Sequence, residues 1–302
     1  MSVDQIGKPI DQYCLPRVID CHTHAWMNED LSLLRDRLML MDQPLPDKHP
    51  LKWNLYHQGT PQCLLEHEKA AGIARFVLLA ISAKPERCRE LNFWVAGLAR
   101  AYPEVIPFAA LHPGADSIKD ELDLIIKLGL KGVKLHSMVQ RFALLAPKTL
   151  ALFAALEEAR LPVMLDTLSI TKMFNYKPHL KPILGQFVEF GTEPIATAEV
   201  ARRFPKLTII AAHMGALFAW EDLAPLMDLD NVYFDLSYTY HILPRNEVMD
   251  IIRRKGVSHI LFGTDSPWKP AGETLGWFFS LPLAPEEQEA IAWKNAERLL
   301  NI

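Results

Sequence analysis

The sequence lacks the features that mark several classes of protein. Its four cysteines (Cys14, Cys21, Cys63 and Cys88) form no CxxC pair and no disulfide-framework spacing, which predicts a reduced, cytoplasmic setting. The N-terminal MSVDQIGKPIDQ carries acidic residues and no apolar core, so we expect no signal peptide. No apolar run approaches the roughly 20 residues of a membrane span, so we expect no membrane association.

Positive charge is also scarce. The 302 residues include 32 Lys and Arg against 36 Asp and Glu, a formal net charge of −4, and no stripe of basic residues. This balance argues against nucleic-acid binding and against a polybasic surface for anionic lipid. Because 50% of the residues are hydrophobic, the composition predicts a globular chain with a substantial core. We therefore expect a small-molecule partner, with no nucleic acid and no membrane.

The sequence does contain a repeated alternation of short apolar runs and helix-period segments. Each run is bounded by Gly, Pro or polar residues, as is typical of parallel strands covered on both faces. The predicted strands are Arg17–His24, Ala74–Ser82, Val105–Pro113, Gly132–Met138, Leu161–Thr167, Leu207–Gly215, Val232–Ser237 and His259–Ser266. The predicted helices span 62–72, 85–103, 117–129, 147–160, 196–205, 245–256 and 285–300.

Strand–helix alternation repeated eight times in about 250 residues predicts an α/β fold, a (β/α)8 TIM barrel, as a single domain over residues 1–302. An open doubly wound sheet is the alternative, but no Gly-rich phosphate loop follows the first strand. Two extended loops, residues 27–59 after strand one and 168–194 after strand five, leave the C-terminal ends of their strands. Long loops there are typical of lids or substrate walls, although a structural excursion is the alternative.

Polar side chains occur where the predicted strands end. They are His22 and His24 on strand one, His112 on strand three, Lys134 and His136 on strand four, Asp166 on strand five, His213 on strand six, Asp235 and Ser237 on strand seven, and Asp265 on strand eight. Because side chains alternate faces along a strand, His22 and His24 share one face, as do Lys134 and His136. If that face is the barrel interior, these groups converge at the mouth.

Neutral imidazoles and ionised carboxylates in a low-dielectric mouth need a positive charge to neutralise them. A divalent metal does this, and a His/Asp ligand set with an open position suits catalytic zinc, with manganese or iron as alternatives. A lone strand-end histidine such as His112 is more often a hydrogen-bonded structural residue. The joint pattern of His22, His24, His213 and Asp265 at one end favours a metal site.

The segments VIDCHTHAW, KGVKLHSMVQ, FPKLTIIAAHMG, NVYFDLS, ILFGTDSPW and NAERLL resemble the metal-dependent amidohydrolase superfamily, from about Val18 to Leu300. They are most similar to the amidohydrolase-2 group, which includes aminocarboxymuconate semialdehyde decarboxylase and resorcylate-type decarboxylases as well as hydrolases. The resemblance implies a barrel that holds a divalent ion through His22, His24 and Asp265, with His213 as an acid/base or water-orienting group. Because members of this group often form dimers, the resemblance also makes a homodimer an expectation for this chain.

The sequence departs from this group at strand five. The relatives commonly place a metal-binding histidine there, whereas this chain reads LPVMLDT and has Asp166. An ion bound with Asp166 is the first interpretation, because a carboxylate oxygen can also bind it. An ion completed by His136 is the second, and a site without metal, as in the lactonase that acts on pyrone dicarboxylate, is the third.

The preferred prediction of function is a metal-dependent hydrolase of a small, carboxylated organic substrate that uses metal-activated water. Asp265 would accept the proton of the water, and His213 would polarise the scissile group. The alternative on the same site is a non-oxidative decarboxylase, in which Asp265 or His213 protonates the carbon. A second alternative, motivated by strand five, is a degenerate barrel that binds a ligand without turnover.

Substrate binding is predicted for Lys134 and His136, because Lys134 shares the inward face of His136 and can anchor a carboxylate. Arg141 and Lys172 are further candidates, although each taken singly fits a solvated loop charge. Asp20 shares the face of the histidine pair at a deeper position, which suggests a partner that orients one of the imidazoles.

Overall fold

The computed structural model describes residues 17–35, 41–47 and 49–302. Cys14 and the N-terminal segment discussed above lie outside the described residues. The other three cysteines, Cys21, Cys63 and Cys88, are free thiols. Among the helices in these ranges, none combines the length and the apolar character needed to traverse a bilayer.

Eight parallel strands form one sheet in the order β1 to β8, so every strand pairs with its neighbours in sequence. The strands are β1 (Val18–Thr23), β2 (Ile73–Leu79), β3 (Val105–Ala110), β4 (Gly132–Leu135), β5 (Val163–Leu165), β6 (Ile209–Ala211), β7 (Val232–Asp235) and β8 (Ile260–Leu261). The Cys21 N–H donates to the Phe262 carbonyl at 2.9 Å, and the Asp265 N–H donates to the His22 carbonyl at 2.8 Å. These bonds bring the segment of β8 back to β1, and the predicted (β/α)8 barrel is confirmed.

Helices cover the outside of the barrel, and short helices form part of its loops. They are α1 (Asn28–Leu34), α2 (Pro61–Ala70), α3 (Cys88–Ala101), α4 (Ile118–Lys127), α5 (Ser137–Gln140), α6 (Pro147–Ala159), α7 (Ile170–Tyr176), α8 (Lys181–Leu184), α9 (Pro194–Arg203), α10 (Arg245–Lys255), α11 (Ala271–Phe279), α12 (Pro285–Glu289) and α13 (Asn295–Leu300). A π-helical turn, Ala290–Lys294, joins the last two. The Thr60 hydroxyl accepts the Cys63 N–H at 3.2 Å at the start of α2, because Thr is a good N-cap.

The regular alternation predicted from sequence fails in two places. Residues 212–231, all of them described, contain short 3-10 turns and no α-helix between β6 and β7. Residues 211–220 are buried without interruption, so this first half of the segment has no solvent-facing side for an amphipathic helix to present. In addition, α11 follows β8 where no helix was predicted, because its sequence AGETLGWFF is apolar on most sides and shows no clear stripe.

The predicted strands also extend too far at their C-terminal ends. His136, Asp166, His213 and Asp265 all lie beyond the last residue of their strands. The backbone of His213 has φ 57° and that of Asp265 has φ 69°, both in the left-handed region that an extended strand does not adopt. Strand parity therefore does not set the direction of these two side chains.

Both extended loops are present, and they contact each other. The loop after β1 supplies Asp42, whose carboxylate accepts from Lys177 and lies 2.9 Å from His179 Nε2 in the loop after β5. The Trp53 N–H also donates to Asp42 at 2.8 Å. The prediction of a barrel with extended loops after strands one and five is confirmed, and a buried ion pair joins the two loops.

Candidate metal centre

The polar residues at the strand ends lie together at one end of the barrel. The ring centroid of His22 is 5.1 Å from that of His24 and 5.1 Å from that of His213. These three histidines, with Asp166 and Asp265, are all buried. The structure therefore brings every residue predicted as a metal ligand or as a catalytic group into one small volume.

Two overlapping groups of side chains could hold an ion, and both contain His22. One group is His22, His24 and Asp265, and the other is His22, Asp166 and His213; within each, the ligand atoms lie within 4.8 Å of one another. Asp265 Oδ1 is 3.2 Å from His24 Nε2 and 3.5 Å from His22 Nε2. Ligand atoms about 2.1 Å from a common ion lie roughly 3.0–3.4 Å apart, so these two distances are close to those expected around one cation.

The two histidines of β1 present their Nε2 atoms to the centre because their Nδ1 atoms are engaged elsewhere. His22 Nδ1 is 2.8 Å from Asp235 Oδ2, and His24 Nδ1 is 3.1 Å from the Leu79 carbonyl oxygen. Since a carboxylate and a carbonyl can only accept, each Nδ1 carries the hydrogen and donates it. Both Nε2 lone pairs then face the centre, and that of His22 also lies 3.3 Å from the Lys134 ammonium, which can donate to it.

Lys134 places a positive charge inside the second group. Its ammonium is fully buried, 3.3 Å from His22 Nε2 and 3.4 Å from Asp166 Oδ2. His213 Nε2 lies 3.4 Å from the same Asp166 oxygen, and His136 Nε2 lies 3.7 Å from Asp166 Oδ1. The predicted substrate-binding pair is therefore adjacent to Asp166, and a lysine cation stands beside the position that suits a metal cation.

The carboxyl groups of this cluster are ionised. Burial works against the charged form of Asp166, but His136 and Lys134 outweigh it and hold the pKa of Asp166 well below its usual range. Burial is likewise outweighed at Asp235, where contact with His22 lowers the pKa. At Asp265 the neighbouring histidines overcome burial and lower the pKa.

Only some of the imidazoles carry a positive charge that could balance these carboxylates. Burial, helped by the charge of Lys134, lowers the pKa of His22 to about 4, and burial lowers the pKa of His136 to about 4. Burial also favours neutral His213, but its hydrogen bond to Asp166 and the nearby carboxylates outweigh burial and raise its pKa. With neutral His22 and His136, negative charge is in excess, as expected of a site that fits a divalent cation. The buried His136 Nδ1 has no hydrogen-bond partner among the described residues.

Asp235, rather than Asp20, orients an imidazole. Asp20 accepts the backbone N–H groups of His22 at 2.9 Å and Thr264 at 3.0 Å, so it holds the backbone of β1 against the segment after β8. Asp235 contacts the His22 ring and also accepts the backbone N–H of His213 at 2.9 Å. The sequence placed Asp235 at a strand end but gave no signal for this role, which depends on contacts across the barrel.

The remaining polar candidates lie outside the cluster or have protein partners. His112 accepts the Gly114 N–H at 2.9 Å, in agreement with a structural residue. The Arg141 guanidinium lies 5.1 Å from the centre of the Phe187 ring. Lys172 pairs with Glu221 at 2.7 Å on the surface, as a solvated loop charge would.

The fold and this cluster agree with a comparison with known families. A family model described as amidohydrolase matches residues 19–302. The chain belongs to this family, which confirms the resemblance seen in the sequence and agrees with the prediction of an amidohydrolase-type hydrolase or decarboxylase.

Individual relatives are distant. The decarboxylase orsB of Emericella nidulans is 28% identical over 127 residues, 35% of this chain and 38% of that protein. Among solved structures, a dihydroxybenzoic acid decarboxylase from Polaromonas with bound manganese and the inhibitor 2-nitroresorcinol has 17% identity and a TM-score of 0.71, over 94% of this chain and 97% of that one. The 5-carboxyvanillate decarboxylase LigW of Sphingomonas paucimobilis has 15% identity and a TM-score of 0.68, over 95% and 99%.

Proposed function

We propose that this protein is a divalent-metal-dependent, non-oxidative decarboxylase of a small aromatic carboxylic acid. The observation that carries this proposal is the group His22, His24 and Asp265 with the buried ammonium of Lys134 beside it. A metal cation and a lysine ammonium that lie side by side can each bind one of the two oxygens of a carboxylate. The two solved structures named above are of decarboxylases that act on aromatic acids, which supports the same choice.

Decarboxylation is favoured over the predicted hydrolysis by the residue at strand five. Asp166 adds a carboxylate where an imidazole was expected, and a more anionic ligand set makes a bound ion a weaker Lewis acid. A weaker Lewis acid activates water less, whereas it still binds carboxylate and hydroxyl oxygens. Oxygen-rich sets also suit manganese, so we take manganese as the ion, and zinc remains the alternative.

In this proposal His22, His24 and Asp265 hold the ion, and Asp166 offers a further oxygen. When bound, the metal supplies positive charge to the oxygens of the substrate. Lys134 then orients the substrate carboxylate from the side of Asp166. Asp235 keeps the proton on His22 Nδ1, which preserves the Nε2 lone pair.

His213 is the proton donor that we assign. Its Nδ1 lies 2.8 Å from the Ser237 hydroxyl, and its Nε2 faces Asp166 in the mouth. The bond between the ring carbon and the carboxylate breaks, its electron pair stays on the ring carbon, and the imidazolium delivers a proton there. The products are carbon dioxide and the neutral arene, which carries hydrogen in place of the carboxylate. No oxidant or reductant is needed.

The test is carbon dioxide release by manganese-loaded protein from dihydroxybenzoates and 5-carboxyvanillate. We expect metal-dependent release that falls about a thousandfold in His22→Ala and in Asp265→Asn, with manganese content reduced in both. Asp250→Asn, on the surface of α10, is the matched control and should retain full activity and metal. Hydrolysis of esters or lactones without carbon dioxide release would favour the hydrolase prediction instead. Ligand binding without metal or turnover would favour the degenerate barrel.

A further inference from the structure

Lys269 is a buried cation that forms no contact ion pair with the described residues, although the charge of the more distant Asp265 acts on it. Its side chain is 4% exposed, and its ammonium donates to the Pro50 carbonyl at 2.7 Å and lies 4.5 Å from the centre of the Tyr238 ring. In the described ranges no carboxylate approaches it within ion-pair distance. Since an ammonium has three N–H donors, the carbonyl leaves hydrogen-bonding capacity and a full charge to be satisfied.

The other buried lysines are compensated, which sets Lys269 apart. Lys134 contacts the carboxylate of Asp166, and Lys177 contacts that of Asp42. Lys255, at the end of α10, donates to three backbone carbonyl oxygens at 2.8–3.2 Å. Each of these ammonium groups has either an anion or a complete set of acceptors, and so each has a role within the fold.

Lys269 also lines a pocket. The cavity has a volume of about 320 Å³ and is bounded by Pro50, Tyr56, Tyr240, His241 and Lys269. This volume lies at the lower end of the range for small-molecule sites. Tyr240 and His241 lie with their rings 3.8 Å apart. A flat aromatic ring with an anionic substituent fits walls of this kind, since the walls are planar and the cation comes from one side.

The pocket opens beside the candidate metal centre. Its walls come from the loops after β1, β7 and β8, all at the C-terminal end of the barrel where the metal ligands lie. The Tyr238 ring contacts the Lys269 ammonium and also packs against the His213 imidazole, with 6.0 Å between ring centroids. One aromatic ring therefore contacts both the pocket cation and the centre, and the Asp265 carboxylate of the centre acts electrostatically on Lys269.

We infer that this pocket is a second anion-binding subsite, in which Lys269 holds an acidic group of the substrate other than the carboxylate that is lost. The substrate would then be an aromatic acid with a second anionic substituent. This inference rests on the proposed function for the entry of an aromatic acid into the mouth. Burial lowers the pKa of Lys269 to about 8, and the charge of Asp265 opposes this shift.

The experiment measures binding rather than turnover. Manganese-loaded protein is titrated calorimetrically with isophthalate and terephthalate, each compared with its matched monoamide, 3- or 4-carbamoylbenzoate. We expect at least one dicarboxylate to bind tenfold or more tightly than its amide. Lys269→Met should abolish this preference and leave the affinity for the amide unchanged, whereas Lys269→Arg should retain part of it.

Two results would overturn the inference. One is equal affinity of wild-type protein for both dicarboxylates and their amides, a measurement that does not depend on whether the variants fold. The other is a preference that survives in folded Lys269→Met protein. If the preference depends on Lys269 but no acid releases carbon dioxide, the subsite is supported and the decarboxylase proposal is wrong. If an acid releases carbon dioxide but no preference for the dicarboxylates is found, the decarboxylase proposal is supported and the subsite is wrong.

Discussion

The Lys177 ammonium contacts the Asp42 carboxylate where neither side chain is exposed to solvent, and the same ammonium lies 3.5 Å from the centre of the Trp53 ring. Asp42 and Trp53 belong to the loop after β1, and Lys177 belongs to the loop after β5. A buried charge pair thus fixes two long loops to each other at the mouth.

Breaking this pair should destabilise the protein strongly. Asp42→Asn leaves the Lys177 ammonium buried without its anion, which we expect to lower the free energy of unfolding by about 3–5 kcal/mol. The measurement is urea denaturation. The double variant Asp42→Leu with Lys177→Met should recover much of the loss, because no charge is then buried alone. The control Lys172→Met removes an exposed ion pair and should have no measurable effect; an equally small effect of Asp42→Asn would contradict the account.

Asp235→Asn should weaken metal binding. The amide nitrogen would face His22 Nδ1 and donate to it. The ring would then carry its hydrogen on Nε2 instead of Nδ1, and Nε2 is the atom that should bind the ion. Changes of this kind typically cost 10–100-fold in metal affinity, and we expect about that for manganese. Competition with a chelator measures the affinity, and the exposed Asp250→Asn is the matched variant. Unchanged affinity in folded Asp235→Asn would exclude a role of Asp235 in orienting His22.

Lys134→Met should change metal and substrate binding in opposite directions. Removing a positive charge close to the ligand atoms strengthens the attraction for a divalent ion, and we expect manganese affinity to rise roughly tenfold. The KM for every acid that is turned over should rise by about the same factor, because the carboxylate loses its second cation. Chelator competition and steady-state kinetics measure the two quantities. A parallel loss of both would instead identify Lys134 as a structural residue.

His57 should make the protein sensitive to acid. Its Nδ1 accepts the Gly59 N–H at 3.1 Å, and burial, with His67 nearby, lowers the pKa of His57 to about 4. Between about pH 6.5 and pH 4 the unfolded chain binds a proton at His57 that the folded protein does not bind. The free energy of unfolding therefore falls as the pH drops through this window.

The contribution of His57 at pH 5 should be about 1 kcal/mol, after an allowance for the part of the ring that water reaches. His57→Gln cannot titrate, so the stability difference between wild type and this variant should shift by that amount in favour of the variant from pH 7 to pH 5. Urea denaturation at both values measures it. A difference that stays constant with pH would show that His57 has an ordinary pKa.

Arg160→Gly should stabilise the protein. Arg160 caps the C-terminal end of α6 with φ 54° and ψ 34°, a left-handed conformation that glycine adopts without cost. We expect a gain of about 0.5–1 kcal/mol in the free energy of unfolding. Arg160→Ala is the matched control, since it removes the same side chain and keeps the backbone penalty. Equal stability of the two variants would attribute any change to the side chain.

Much of the fold could be predicted from local patterns. The apolar runs gave all eight strands, and Thr60 followed by Pro61 located the start of α2 because capping is a local interaction. The segment between β6 and β7 was less predictable. Its first half, residues 211–220, is buried throughout, so it carries no periodicity that separates a helix from a chain of turns.

The site was predictable to a smaller extent. His22 and His24, at the end of β1, reach the centre as predicted, although the register of β1 against β2 shifts between Asp20 and Thr23. His213 and Asp265 reach the same centre through left-handed backbone that no periodic pattern describes. The roles of Asp235 and Lys269 could not be inferred either, because the burial of a charge and its lack of a partner are properties of the whole fold.

The closure of the barrel through β1 and β8 also sets an order of events during synthesis. Asp265 leaves the ribosome roughly 240 residues after His22 and His24, or about 12 to 50 seconds later at ordinary translation rates. During that interval the nascent chain exposes a histidine pair without its carboxylate. An ion held by all three side chains, as we propose, can therefore bind only after Asp265 has been synthesised.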